Sequence, residues 1–557
     1  MLEETDVLVV GAGPVGLTVA LALERLNLRV RVLTRDAESN REPRADVIFP
    51  RAGEALGAIG VGEVLRRHSY EMQGAEFYGD GRHMGSFTAG RFASAYPRAM
   101  TVEQHDIEQL LVGELAARGV DVEWQSEVTD VRPQADRVDV TICRPHGGRE
   151  QISAPWVVAC DGKQSTLRDR LGIPFEGHRR KNMQVLQGNV IPSWDLGYAP
   201  GHGYFFLAPR RTVLAFPIPG GAYRVFCVRD DPHPRSTDMP TLGELRDVVA
   251  EAAHMPDLQM TLAEPVWLNR VRVADRVAAN LRRGRVLLAG DAAHVWTPIG
   301  GHGMNVGMLG AHNLAWKLAA VHRGQAVDAL LDSYDVEQRA LAHGVIRDMK
   351  FNVMEVLLPQ PVHQARCAFL RATMSSEAVQ RRSEWMMSDF GRNHRKSPLS
   401  WHQARTSRGS LRAGDRLPDA MVVPARTPAT DGQRTMTAVA GARQVRLHNL
   451  LGYDHWTLLL TSDAVTASTM RALRAECAAV ATPVEITVVT AAGRDDSREL
   501  GRPGDVTLVR PDGYVGLVAP LERLDVLREY LRTHLTPTRS VRAAPSTAAP
   551  ERATYVR

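Results

Sequence analysis

The stretch DVLVVGAGPVGLTVALALERLNLRVRVLTRD, residues 6–36, leaves few folds open to this chain. The apolar run Val7–Val10 reads as a buried strand. Gly11, Gly13 and Gly16 form a tight turn, Leu17–Leu26 a helix, and Leu28–Leu33 a second strand broken by Arg29 and Arg31. That order is a βαβ unit of the dinucleotide-binding kind, in which glycines let the backbone approach a pyrophosphate and the helix N-terminus offers free N–H groups. The fingerprint then calls for an acid about 20 residues on, to bind a ribose hydroxyl. This strand ends in Thr34 instead, with Asp36 two residues beyond.

A chain of 557 residues is too long for one core, and three or four units are expected. With 44% hydrophobic and 24% charged residues it reads as an ordinary globular protein. No apolar run reaches the roughly 20 residues of a membrane span, and the N-terminus leads straight into a strand, so a cytoplasmic location is expected. Five scattered cysteines without a CxxC pair argue against a zinc cluster, a disulfide scaffold or a dithiol centre, and no metal site is expected. Of the net charge of +5, four Arg and one Glu in residues 536–557 supply +3. The near-neutral remainder gives no basic patch for nucleic acid.

The fold class expected is α/β. Residues 1–174 read as the first part of a Rossmann-like nucleotide-binding domain. From 175 to 281, GYFFLAPRRTVLAFPIPGGAYRVFCVRD alternates over short runs broken by Pro and Gly, as an inserted antiparallel sheet carrying a substrate pocket does. Residues 282–400 return to the first domain and end in helices. Residues 401–434 are rich in Pro and Gly and read as a linker. Residues 435–535 run βαβ…ββα, the order of a thioredoxin-like domain, and 536–557 read as a disordered tail.

Two further motifs carry chemistry. In ACDGKQSTLRDRLGI, Asp161-Gly162 follows a buried strand. In GRVLLAGDAAHVWTPIGGHGMNVGMLGAHNLAWKLA, Asp291 sits at a strand end, where open α/β sheets bind ligands, and can accept hydrogen bonds from a polyol. Pro298, Gly300, Gly301 and Gly303 form an open loop, and a long helix starts directly after it. The positive end of that helix suits a group that becomes anionic, as a reduced flavin ring does.

Together these motifs resemble the class A FAD-dependent aromatic hydroxylases, the para-hydroxybenzoate hydroxylase fold group, over about residues 4–350. The C-terminal part resembles the long members: phenol hydroxylase-like enzymes and the hydroxylases that tailor aromatic polyketides or inactivate rifamycins. The resemblance implies that Gly11, Gly13 and Gly16 hold the FAD pyrophosphate and that Arg44 and Gln104 contact the cofactor. It places Asp161 near the pyrophosphate and the NAD(P)H path, and Asp291 on the ribitol. Pro298, Gly301, Gly303, Met304 and Asn305 would cradle the isoalloxazine. Pro14, Val15, Thr34, Arg35 and Val128 complete the implied cofactor set.

The implied reaction consumes NADH or NADPH and O2 and hydroxylates an aromatic, phenolic or polyketide-like small molecule through a flavin C4a-hydroperoxide. The protein would act as a monomer or homodimer. Such chemistry needs few catalytic side chains, and the sequence singles none out. His202, Tyr204, Arg211 and Tyr223 are candidates for substrate contact, and Trp296 for a pocket wall. A halogenase would need a WxWxIP stretch, which is absent. A one-fingerprint Baeyer–Villiger or epoxidising relative, or a non-hydroxylating flavin binder, would share these motifs. Relatives commonly have Gln at the position of His302 and Asp at that of Gly310. His302 reads as a loop residue rather than a proton carrier, and Gly310 as a mark of close packing or of drift.

Overall fold

The structure is a computed structural model. It describes residues 5–40, 42, 47–196, 201–234, 238–264, 266–298, 300–350, 357–406, 410–425, 443–461, 465–493 and 500–536. Within these, the architecture is mixed α/β, and no helix is long and apolar enough to cross a membrane.

Val7–Val10 is wholly buried and pairs in parallel with Val30–Leu33 on one side and Trp156–Ala159 on the other. Trp156–Ala159 pairs in parallel with Val286–Leu288. With Val122–Glu123 and Arg282–Arg283 at its edges, this is a six-stranded sheet. Strands buried on both faces need to be apolar throughout, as VLVV, WVVA and VLL are. The helix Pro14–Arg25 lies against the long helix His302–His322, so residues almost 300 positions apart form one layer on the sheet.

A second, nine-stranded sheet is built mainly from Phe175–Pro192, His202–Ala208, Arg211–Ile218, Ala222–Asp230 and Leu268–Ala278. The hairpin of Gly74–Gly79 and Arg82–Thr88 also joins it, with Gly74–Gly79 lying parallel to His202–Ala208. The expected boundary at 175 therefore misses a hairpin that lies within the first segment. Its pairing is non-local, and nothing in the local alternation names a partner strand so far along the chain. Helix Leu242–Ala253 covers one face of the sheet, through Leu245, Val248, Val249 and Ala252. Helix Gln360–Thr373 covers part of the other, through Cys367 and Leu370.

The C-terminal part forms a seven-stranded sheet. Trp456–Thr461 and Val484–Ala491 are parallel across the helix Ala467–Ala478, and Asp505–Val509 and Val515–Pro520 follow antiparallel. Trp401–His402 and Met421–Pro424 also belong to it, so the described parts of 401–434 are not a free linker. Trp401–His402 is an edge strand, and Met421–Pro424 is paired on both sides. The expected tail beyond Thr536 lies outside the described residues. This unit packs on the long helix: Tyr453 Oη donates to the His312 carbonyl at 2.7 Å, and Trp456 meets Trp316 edge-on at 5.5 Å.

Candidate functional site

The three motifs converge at the C-terminal ends of three adjacent parallel strands. Gly11 follows Val7–Val10, Asp161 follows Trp156–Ala159, and Gly290-Asp291 follow Val286–Leu288. Backbone bonds stitch them together: Gly11 N–H donates to Leu33 at 2.7 Å, Cys160 to Val10 at 2.7 Å, and Ala289 to Ala159 at 2.9 Å. Such a crevice is where open α/β sheets place ligands.

Each glycine of the fingerprint has its own reason. A Cβ on Gly11, at φ +107°, would stand 2.3 Å from the Cys160 carbonyl oxygen, and one on Gly16 would stand 2.0 Å from that of Gly11. Both positions exclude a side chain. Gly13 instead faces open space, and it begins a helix whose N-cap makes no side-chain bond, with Pro14 in the first turn. Those N–H groups remain available to an anion, a contact worth about 0.3–1 kcal/mol at an exposed site. Val15 turns inward and packs where a Cβ on Gly290 or Gly307 would stand.

Asp161 Oδ2 accepts from Leu167 N–H at 3.0 Å, while its Oδ1 is buried with no hydrogen-bond partner among the described residues. Burial pushes its pKa up, against the opposing pull of Ser165, Leu167 and Arg168. Ser165 caps the short helix after it by accepting from Arg168 N–H. Arg168 links this motif to the next: its guanidinium donates to the Ala292 carbonyl at 3.2 Å and lies 4.1 Å over the Phe175 ring. Asp291 is exposed beside it.

The loop after Asp291 closes with Gly301 N–H donating to Pro298 at 3.1 Å. Gly301 is left-handed, at φ 71°, and starts the long helix without a side-chain cap. Gly303 opens onto free space, and Met304 is half-buried. Asn305 is fully buried. Its Oδ1 accepts from Phe49 N–H at 2.7 Å, and its Nδ2 donates to Val47 and Gly301 carbonyls at 2.8 Å each. Its amide thus fixes the loop's frame, and only its backbone is left to face a ligand.

Residues 4–349 match the family described as FAD binding domain. The chain belongs to that family. It is 32% identical over 554 residues to a 6-methylpretetramide 4-monooxygenase of Streptomyces rimosus, with 94% of each chain covered. It is 28% identical over 554 residues to a pentachlorophenol 4-monooxygenase of Sphingobium chlorophenolicum, covering 94% of this chain and 95% of that one. Among solved structures, an anhydrotetracycline hydroxylase from Streptomyces rimosus superposes with a TM-score of 0.72 at 28% identity, over 96% of this chain and 99% of that one. This FAD-binding chain is a flavin-dependent monooxygenase that uses NAD(P)H.

The crevice fits FAD. It offers backbone with no Cβ in the way at Gly13 and Gly303, two helix N-termini without side-chain caps that suit anionic groups, and an unpaired buried carboxylate oxygen on Asp161. At the end of the second strand Thr34 is buried, and its hydroxyl donates to Asp36 Oδ2 at 3.1 Å. An acid thus stands two residues beyond the strand end, held by Thr34. Arg35 is exposed beside it, and Val128 is buried in the neighbouring three-stranded sheet. Gln104 stands in the first turn of Gln104–Ala116 and donates to Glu108 at 2.8 Å. Arg44 lies outside the described residues.

The substrate candidates fare differently. Tyr204 and Tyr223 are buried with Trp194 on the face covered by Leu242–Ala253, and Tyr204 Oη donates to the Leu196 carbonyl at 3.0 Å. Arg211 pairs with Glu251 of that helix. Trp296 stacks on His294 at 4.8 Å and packs against Leu341 and Val345. These four pack against the sheet's covering helix or, for Trp296, against the helix Asp332–Lys350. His202 is half-buried, with an unpartnered, buried Nδ1.

Side chains alternate along a strand, so Arg224, next to Tyr223, turns to the opposite face. There it is fully buried, donates to Glu103 at 3.0 Å and to Asn189, and lies 4.6 Å over Trp267. Glu103 stands at the N-cap position of the helix that begins with Gln104, without a side-chain cap bond. Sequence reading missed this cluster because an Arg in an alternating strand looks like a solvated face.

Asp80, His363 and Cys367 cluster as metal ligands would. Arg366, which can only donate, lies 2.6 Å from His363 Nδ1, so Nε2 carries the proton that meets Asp80 at 2.9 Å. Both ring nitrogens are engaged, and the group is a hydrogen-bond chain. A groove of 500 Å³ on the C-terminal unit, lined by Met470, Cys477 and Ile486, involves none of the motif residues.

Proposed function

We propose that this monooxygenase hydroxylates a phenolic ring of a polycyclic, polyketide-like molecule. Single-ring phenols are the narrower alternative. The observation that carries the reading is the convergence of Gly11–Gly16, Asp161 and the 291–305 loop on one crevice, with Arg224 on the sheet face that meets Glu103. The tetracycline-type names of the full-length relatives favour a large ring system. The domain order supports an FAD-binding domain in two segments around an inserted sheet. The C-terminal strand order supports a thioredoxin-like unit.

FAD, when bound, supplies hydride acceptance from NAD(P)H and activation of O2. The chain's own part is to hold the pyrophosphate on the N–H groups after Gly13 and to anchor the adenosine through Asp36. It also sets the 298–305 loop through Asn305. Purified protein should carry flavin absorbance. NAD(P)H consumption should rise with polycyclic phenols, and the product should gain one oxygen on a ring carbon. Oxygen inserted into a ring bond would replace hydroxylation with a Baeyer–Villiger reaction. Stimulation by single-ring phenols alone would overturn the substrate class.

A further inference from the structure

His302 is the first residue of the long helix, directly after left-handed Gly301. Its Nδ1 lies 3.0 and 3.2 Å from the two carboxylate oxygens of Asp389. Asp389 has a wholly buried side chain and a left-handed backbone at φ 59°. A non-glycine residue in that region carries local strain, which the surrounding contacts must hold in place. Arg392 holds the same carboxylate, Nε to Oδ1 at 3.1 Å, and also reaches Asp348 of the helix Asp332–Lys350 at 3.0 Å. Phe49 contributes an aromatic ring 4.8 Å from the imidazole, and the helix has no acid in its first turn.

A carboxylate can only accept, so Nδ1 carries the proton and Nε2 is the free position. Nε2 has no partner among the described residues, and the side chain keeps 12% exposure. Burial alone would raise Asp389, but His302 and Arg392 hold its carboxyl below the usual range. The carboxylate is thus a charged partner facing the imidazole. A buried carboxylate orients the imidazole it accepts from and offers a counter-charge to its cation. The sequence made His302 a loop residue. A partner 87 positions away changes that.

We propose that His302, held in place by Asp389, is a proton-binding residue of the flavin site, whose imidazolium favours the cofactor when it carries the negative charge of its reduced state. The inference rests on the reading that the ring lies against this helix N-terminus. When NAD(P)H delivers its hydride, His302 Nε2 takes one proton from water, and it returns that proton when the two electrons leave. Asp389 is a positioning residue that acts through His302.

The test is the midpoint potential of the holoenzyme's flavin across about pH 5.5–8.5, by equilibration with reference dyes, for wild type, His302→Gln, His302→Lys and Asp389→Asn. Flavin content and thermal unfolding are measured in parallel. Wild type should show a break in potential against pH within the imidazole range. His302→Gln should lose the break and bind reduced flavin on the order of tenfold less tightly relative to oxidised, about 30 mV for a two-electron couple. His302→Lys should restore the higher potential without the break. Asp389→Asn should move the break to lower pH, because the imidazolium loses its counter-charge. Wild type and His302→Gln with matching potentials at every pH would overturn the proposal. Loss of flavin from wild type would instead overturn the reading of the site.

Discussion

Val15 fills the space that a Cβ on Gly307 would need, with its Cγ2 2.5 Å from that point, and it crowds Gly290 in the same way at 3.0 Å. The fingerprint turn is thus keyed into both the Asp291 loop and the long helix. Gly307→Ala should overpack this joint and cost roughly 1–3 kcal/mol, read as a lower unfolding midpoint and reduced flavin content. Val15→Ala added to Gly307→Ala should recover part of the loss, because residues in contact are not additive. An additive double mutant would show that the joint is not the cause.

Thr34 Oγ1 donates to Asp36 Oδ2 at 3.1 Å, and on the proposed reading Asp36 stands in for the acid that the strand end lacks. Asp36→Asn should weaken FAD binding several-fold in a titration of apoprotein, with the flavin spectrum unchanged. Thr34→Glu should not help. It would bury a second carboxylate beside Asp36, and like charges at that range repel. Tighter binding by Thr34→Glu would show that Asp36 plays no part.

Arg510 and Glu337 join the C-terminal sheet to the flavin domain at 2.6 Å with both side chains fully buried, and Lys317 and Asp512 complete the cluster. Removing one partner of such a pair leaves a buried charge, at a cost of about 3–5 kcal/mol. Arg510→Met should therefore lower the unfolding midpoint of the whole chain rather than release the C-terminal unit alone. Two separate unfolding transitions in wild type would contradict this.

Acid should destabilise the protein in two steps. Burial holds His312 down to about 3 and His294 and His394 down to about 4. The unfolded chain therefore binds more protons than the folded one once the pH falls below about 6.5. Glu54 and Asp512 are both held at about 2, since Arg416 and Arg510 outweigh the burial that would raise them. They add a second loss as pH falls from about 4.5 towards 2. Denaturant midpoints should drop through both windows, and a flat profile between pH 7 and 4 would refute the buried histidines.

Tyr204 and Tyr223 lie on the helix-covered face of the second sheet. Tyr223→Phe and Tyr204→Phe should lower stability by about 1 kcal/mol each for a lost hydrogen bond and leave the substrate KM within about twofold. A tenfold rise in KM would return them to the substrate pocket.

The glycine turn, the Asp161-Gly162 and Gly290-Asp291 turns and the long helix were legible because each is a local pattern. A turn that needs φ > 0, or a backbone approach that excludes a Cβ, is written in adjacent residues. Gly310 was legible as an anomaly only. A Cβ there would stand 3.0 Å from Gln338 Oε1, a neighbour that comes from another helix.

By itself the sequence determined the βαβ unit, the order of the three motifs and hence the cofactor, since each rests on contacts within a few residues. Tertiary structure decided the rest. It joined the Gly74–Thr88 hairpin to the second sheet and turned Tyr204 and Tyr223 away from the crevice while burying Arg224. It also set Asp389 against His302. Strand alternation says that two faces exist but not which one meets the cofactor domain. A carboxylate 87 positions away shapes an imidazole only once folding has closed that loop.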